Sequence, residues 1–363
     1  MSRFDRRKAE AGEEPAPTRE KRGTLAPLII FIAIVVFIVV ALVTSRSAAT
    51  EKPFSYTELL MDTEVNLQIF CRGSGEARRA KEALFDEMKR LERLLSYSDP
   101  KSDLARINRA AGERPVEISP ETVEVIQKAL DYSSISEGAF DPTVAPLLEL
   151  WGFREGDYRV PDPDELEEAG VLVDYRLVEV GTAEVYLPRP GMALDLGGIA
   201  KGYIVDRGLA LLSQSGVRHA LINAGGDIGI LGPKADGSPW RVGIKHPCTD
   251  GELIAVIPWM KRGAVVTSGD YERFFVEDGV RYHHILDPRT GYPASSLVSV
   301  TVVAPTAMEA DALSTALFVM GPQRGLALVE SLSGVEAIMV TPQLELLISS
   351  GLRDLVELPG ENK

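Results

Sequence analysis

The longest apolar stretch lies near the start of the chain. Residues 25–43 (LAPLIIFIAIVVFIVVALV) run without a charged or hydrogen-bonding side chain. A helix of this length comes close to spanning a hydrocarbon core of about 30 Å, which predicts a transmembrane signal-anchor helix over 25–43 rather than a cleaved leader. Beyond it the period changes. Ser55–Phe70 alternates as a strand does, and Glu76–Leu95 sets Ala77, Ala80, Leu84, Met88, Leu91 and Leu95 on one helical stripe. Ser119-Pro120-Glu121 reads as an N-cap, a first-turn proline and an acid opening a helix to about Ile135, with Val123, Ile126, Ala129 and Leu130 inward.

A short capped helix is expected over Pro161–Glu168, small strands over Leu177–Leu196 broken at Gly181 and Pro188–Gly191, and a longer helix over Ile199–Ser213. From Ala220 onward β-type runs follow one another: ALIN, DIGIL, WRVGIK, LIAVIPW, GAVVTS, RFFVE, VRYHHIL and LVSVTVV, with Asp278-Gly279 as a hairpin turn. Helices at Thr306–Met320 and Pro322–Ser331 and strands at Val335–Val340 and Glu345–Ile348 finish the chain. Strands and helices mix without a βαβ rhythm, so the fold class is α+β, with mixed, largely antiparallel sheets and packed helices. The expected organisation is a tail over 1–24, the membrane helix over 25–43, a linker over 44–52 and one folded body over 53–363.

Composition sharpens this picture in four places. With 363 residues, 45% hydrophobic and 25% charged, the chain has ample material for a core and needs no metal or disulfide staple. The net charge of -14 excludes a generic nucleic-acid binder, which needs a basic excess. Residues 1–24 nonetheless hold seven Lys/Arg, so the positive-inside rule keeps the tail in the cytoplasm and sends the body to the far side of a cell (inner) membrane. Cys71 and Cys248 form no C-x-x-C pair, and a disulfide between them has little sequence support.

Five segments join glycine-permitted backbone to polar side chains. Asp195-Leu-Gly-Gly-Ile-Ala-Lys-Gly202 lies between a strand and a helix, where bare backbone and the helix N-terminus favour an anion and Lys201 adds charge; a tight turn with a surface lysine is the plainer reading. Asn223-Ala-Gly-Gly-Asp-Ile-Gly229 can pack on a flat ring or pyrophosphate, or be an ordinary hairpin. In Glu137-Gly-Ala-Phe-Asp-Pro142, Phe140 could stack on a ligand and Asp141 bond it, although a helix-linking turn needs the same letters. His284 and Asp287, in His283-His284-Ile-Leu-Asp287-Pro-Arg-Thr-Gly291, are a candidate imidazole and carboxylate for general-base work, or a surface histidine above an Asp-Pro turn. Asp311 and Thr315 stand at i and i+4 on one helical face and offer hard oxygens to Mg²⁺; a buried capping Asp is the alternative.

In this order these segments resemble the ApbE-type family, the FAD:protein FMN transferases. Met61-Asp-Thr63, Ser102-Asp-Leu-Ala-Arg-Ile-Asn108, Gly138-Ala-Phe-Asp-Pro142, Asp195–Gly202, Asn223-Ala-Gly-Gly-Asp227, Val266-Thr-Ser-Gly269, His284–Gly291 and Asp311-Ala-Leu-Ser-Thr315 carry the resemblance. It implies an enzyme that splits the pyrophosphate of FAD with Mg²⁺, joins FMN to a Thr or Ser hydroxyl of an acceptor protein and releases AMP. By position, Met61, Ala139, Phe140, Asp141, Asp195 and Lys201 are expected at the FAD site, with the backbone of Ile285 and with Tyr97 or Ser98 beside it. Gly198 (through its carbonyl), Asp311, Ser314 and Thr315 are expected around the metal, and His284 is expected to assist the hydroxyl. The resemblance points to membrane electron-transfer subunits as acceptors. Where many relatives have Met-Gly-Thr this chain has Met61-Asp62-Thr63, and Ser98 stands where many have an aromatic residue. Two rival readings keep the same residues: a Mg²⁺-dependent FAD pyrophosphatase with water as acceptor, and a membrane-anchored flavin-binding protein without catalysis.

Overall fold

The computed structural model describes residues 30–37, 51–154 and 156–359, in two compact units, Met1–Thr50 and Glu51–Lys363. In the first, residues 30–37 are helical and exposed; the rest of the expected membrane segment over 25–43 lies outside the described residues. Among the described residues no helix is long and apolar enough to cross a membrane.

The second unit opens on a hairpin, β1 (Lys52–Leu60) and β2 (Thr63–Cys71), where the alternation predicted one strand. Met61 and Asp62 turn the chain with φ of 54° and 57°, the left-handed pair that suits the twist of a two-residue hairpin. Neither residue is a glycine, so the turn left no breaker to read. There follow α1 (Ser74–Leu95), α2 (Asp103–Arg109), β3 (Val116–Glu117), α3 (Pro120–Ile135), α4 (Ala145–Leu150), α5 (Pro163–Gly170), β4 (Glu179–Val180), β5 (Glu184–Tyr186) and α6 (Ala200–Gln214). After α6 come β6 (Ala220–Ala224), β7 (Asp227–Leu231), β8 (Trp240–Lys245), β9 (Leu253–Trp259), β10 (Gly263–Gly269), β11 (Phe274–Glu277) and β12 (Val280–His283). The last elements are β13 (Ser299–Ala304), α7 (Ala307–Met320), α8 (Pro322–Ser331), β14 (Glu336–Val340) and β15 (Leu346–Ile348).

Eight strands form the central sheet in the order β1-β2-β6-β7-β10-β13-β14-β15, every neighbouring pair antiparallel. Both faces of its middle strands are covered, which is why those strands read as unbroken apolar runs. Ala264, Val266, Val300, Val302, Ala337 and Met339 face the main core with α1, α6 and α7, whereas Val265, Val303 and Ile338 face a second core capped by the β8–β9 ribbon through Trp240, Val242 and Ile257. A third, smaller core gathers Leu147, Trp151, Phe153, Leu166 and Leu286 beside the β11–β12 hairpin, whose Asp278-Gly279 turn forms as expected. Cys71 is buried and Cys248 exposed, and both are free thiols. Burial pushes the Cys71 thiol up to about 11.

Candidate active site

The site is built where α6 begins against α7. Gly202 has no side chain because a Cβ there would run into the carbonyl of Ala307 and the Cα of Met308. One turn later both oxygens of Asp206 accept the first free N–H groups of α7, from Ala307 (2.8 Å) and Met308 (2.9 Å). Thr306 caps the same helix through Glu309 N–H (3.2 Å). Pinned in this register, α6 donates Gly202 N–H to Asp311 Oδ2 at 3.1 Å. Asp311 is 3% exposed on a helix otherwise buried through Ala310, Ala312 and Leu313.

Lys201 and Asp227 complete a charged cluster. Lys201 Nζ donates to Asp227 Oδ1 at 2.8 Å, and Asp227, the first residue of β7, is 1% exposed. Burial opposes the lysine's charge, but Asp227 and then Asp311 outweigh it and hold the ammonium above the ordinary lysine range. Burial, followed by the charge of Asp227, pushes the Asp311 carboxyl well above the carboxylate range; Lys201 and Gly202 N–H offset only part of it. Asp227 Oδ2 has no hydrogen-bond partner among the described residues. Such an orphan in a dry site is costly unless something else satisfies it.

The glycine turn closes the same space from the other side. A side chain at Gly198 would meet the Phe140 ring at 3.1 Å and Thr315 Oγ1 at 3.2 Å. Gly198, Phe140, Asp311 and Thr315 therefore stand together as expected. Ser314, one position earlier on α7, is turned elsewhere: its hydroxyl pairs with Ser268 Oγ at 2.7 Å and donates to the Asp311 carbonyl at 2.9 Å. Hard oxygens from a carboxylate, a hydroxyl and a carbonyl, with an unsatisfied carboxylate oxygen nearby, fit a small divalent cation. Among the described residues no group of three or more His, Cys, Asp or Glu is placed to hold a metal ion, so a cation here would rest on mixed oxygens.

Beside this centre runs a loop held by distant residues. Asn108 clasps the backbone of Leu194 at both ends, Nδ2 to its carbonyl (2.9 Å) and Oδ1 from its N–H (2.7 Å), which fixes the entry to Asp195. Asp195 N–H donates to the Pro142 carbonyl (2.6 Å) and Asp195 Oδ1 accepts Gly197 N–H (2.7 Å), so the Phe140 and Asp195 segments adjoin. Arg154 ion-pairs with Asp195 and lies 3.9 Å over the Tyr97 ring, whose hydroxyl donates to Glu149. Burial pushes the Arg154 guanidinium down to about 10. Phe140 and Ala139 are buried. Asp141 is occupied by its own turn, accepting from Thr143 N–H and Oγ1–H and from Tyr175 N–H, while burial raises its pKa. Met61 gives its N–H to Glu92 at 2.6 Å in the hairpin turn, and Gly225 packs bare against Thr63 just after it. Ser98 is exposed, with its hydroxyl 3.3 Å from Ser96 Oγ.

The two histidines divide as strand geometry predicts. His283 is buried, its Nε2 on the Ala294 carbonyl at 2.8 Å and its Nδ1 accepting Ile285 N–H at 3.3 Å. His284 is half-buried, with Nδ1 on the Arg273 carbonyl at 3.2 Å and its ring edge-on to Phe153. A carbonyl only accepts, so Nδ1 carries the hydrogen and Nε2 keeps a free lone pair. Burial, then the charge of Arg273, pushes the imidazole down to about 3. Asp287 does not join this imidazole through the Nδ1 bond. Its carboxylate accepts three N–H groups of Arg289 at 2.8–3.0 Å, a local clamp that wins because the partner sits two residues away. The carbonyl of Ile285 accepts Ala294 N–H at 3.0 Å.

Sequence reasoning missed two participants. Asp227 stood in a quoted block without a role, since its pairing with Lys201 crosses 26 residues. Arg154 belongs to no motif. Two surface depressions, one around Arg106, Arg109 and Arg114 and one between Pro163–Val171 and Pro288–Tyr292, are lined by none of the Lys201, Asp227 and Asp311 cluster.

Frame and site together define an α+β protein that gathers a half-buried ammonium, two buried carboxylates and a neutral imidazole, equipment for an anionic ligand. The chain belongs to the ApbE family, whose model matches residues 61–339. It is 36% identical to the FAD:protein FMN transferase of Treponema pallidum over 90% of this chain and 95% of that one, and 37% identical to one from Klebsiella pneumoniae over 83% and 93%. Among solved structures, the ApbE protein of Thermotoga maritima superposes with a TM-score of 0.78 at 38% identity, and the flavin transferase ApbE of Vibrio cholerae with 0.75 at 30%. Each match covers 84% of this chain and 99% of the other.

Proposed function

We propose that this FAD:protein FMN transferase moves the FMN moiety of FAD onto a Thr or Ser hydroxyl of an acceptor protein and releases AMP, with Mg²⁺ at Asp311, Thr315 and the Gly198 carbonyl. The observation that carries the reading is the packing of Gly198 against Thr315 on the helix whose Asp311 accepts Gly202 N–H, directly after Lys201. Mg²⁺ held there supplies charge neutralisation to the diphosphate. The residues do the rest. Asp227 keeps the Lys201 ammonium charged, ready for a phosphate oxygen, and the bare Gly198 lets its backbone close on Phe140 and Thr315. Phe140, Tyr97 and Asp195 with Arg154 form the wall expected to hold the flavin.

In the transfer the acceptor oxygen bonds to the FMN phosphorus, the bridging P–O bond breaks, and AMP leaves with that electron pair. His284 Nε2 takes the hydroxyl proton; the anionic diphosphate beside the ring raises its basicity above that of the free site. The acceptor is inferred to be a membrane electron-transfer subunit. Residues 25–43 are inferred to anchor the body outside the cytoplasm, which a C-terminal reporter active only beyond the membrane tests. The reaction is tested by incubating the chain with FAD, Mg²⁺ and a candidate acceptor, then weighing the acceptor and assaying AMP. Equal gains of bound FMN and free AMP support the reading; FMN and AMP released into solution without acceptor modification overturn it.

A further inference from the structure

We propose that Asp227, through Oδ2, is a ligand of the divalent cation, and that it takes the place the resemblance gives to Ser314. The inference rests on the reading that a cation serves the transfer at Asp311. Four observations carry it. Asp227 is 1% exposed, Oδ2 alone of its two oxygens finds no donor among the described residues, and its carboxylate stands within hydrogen-bond reach of the Asp311 carboxyl. Its other oxygen is anchored on Lys201 at 2.8 Å, and that lysine directly precedes Gly202, whose N–H holds Asp311. The strand register fixes the Asp227 backbone opposite Val266 of β10, and the Lys201 bond holds the rotamer of its side chain. Ser314 Oγ is held on both sides, donating to the Asp311 carbonyl and accepting from Ser268, which leaves it one lone pair against the full charge of an unpartnered carboxylate oxygen.

The charges agree. Lys201, Asp227 and Asp311 in their ionised forms sum to one negative charge, with both carboxylates buried, and a divalent cation reverses that sign and satisfies the orphaned oxygen together. Anchored this way, Asp227 ties the cation to the ammonium, so both meet the diphosphate as one unit.

The test uses Mn²⁺ as probe, titrated into the full metal-free chain and read as free Mn²⁺ by electron paramagnetic resonance. Wild type is expected to bind one ion, Asp227→Asn to bind about 10-fold more weakly or worse, and Ser314→Ala to stay close to wild type. Removing Asp227 also leaves Lys201 without its counter-charge, so the double variant Lys201→Met/Asp227→Asn separates ligation from simple charge balance. It is expected to bind as weakly as Asp227→Asn, and it carries the test if the single variant does not fold. Wild-type affinity in Asp227→Asn, or its recovery in the double variant, overturns the proposal while leaving the metal reading intact. No Mn²⁺ binding by wild type overturns both.

Discussion

At the scale of single residues the site rests on which atoms are already taken. His284 is useful because Nδ1 is tied to the Arg273 carbonyl and Nε2 is not. His284→Ala should lower the transfer rate by about 100- to 10,000-fold, the span of a lost general base, with FAD affinity retained; steady-state transfer and flavin titration check both. The pH signature has a definite sign. The folded-state value of about 3 lies below the ordinary 6.5, so under falling pH the unfolded chain binds a proton that the folded ring refuses. That contribution is complete above pH 6.5 and is lost as pH falls from 6.5 toward 3. His284→Gln should therefore show a flatter decline in denaturation midpoint over that window, and a slope equal to wild type would contradict the assignment.

At the scale of elements the α6–α7 contact sets the site. Gly202→Ala pushes a methyl into the Ala307 carbonyl, which as backbone cannot yield, so a loss of roughly 1–3 kcal/mol of stability and weaker Mn²⁺ binding are expected by denaturation and titration. Asp206→Ala removes the acceptor for two N–H groups of α7 and should cost about 1 kcal/mol. Burial raises the Asp206 carboxyl from 3.8 to about 6, so its contribution is whole below pH 3.8 and is lost as pH rises through 6. Asp206→Asn should remove that slope from the stability profile between pH 4 and 6.

The elements themselves were largely readable. The α1 stripe from Ala77 to Leu95 is buried as its period predicted, with Phe85 added. On α3 the buried face is Thr122, Val125, Ile126, Ala129 and Ser133, with the expected Val123 and Leu130 half-buried against the same core. Apolar periodicity could not see Thr122 and Ser133, which are buried because their hydroxyls bond Asp103 and the Ala129 carbonyl. The site was half legible: Asp311 and Thr315 stand out by type and spacing, whereas Lys201, plainer as a surface lysine by itself, was reached through the family resemblance. Asp227 and Arg154 matter only through partners that the fold delivers.

At the scale of the whole molecule, the unit Glu51–Lys363 holds all three cores and every residue of the site. A chain starting at Glu51 should keep the melting temperature and the transfer rate on a soluble acceptor domain; loss of either would show that residues 1–50 take part in the fold or the chemistry. The most direct measurement of the central claim is covalent flavin fluorescence of an acceptor on a denaturing gel, after incubation with FAD and this chain, with Mg²⁺ or with a chelator. A fluorescent acceptor band with Mg²⁺, absent with chelator and absent for Asp311→Ala, is the predicted result. A band of equal strength in all three lanes would contradict the account.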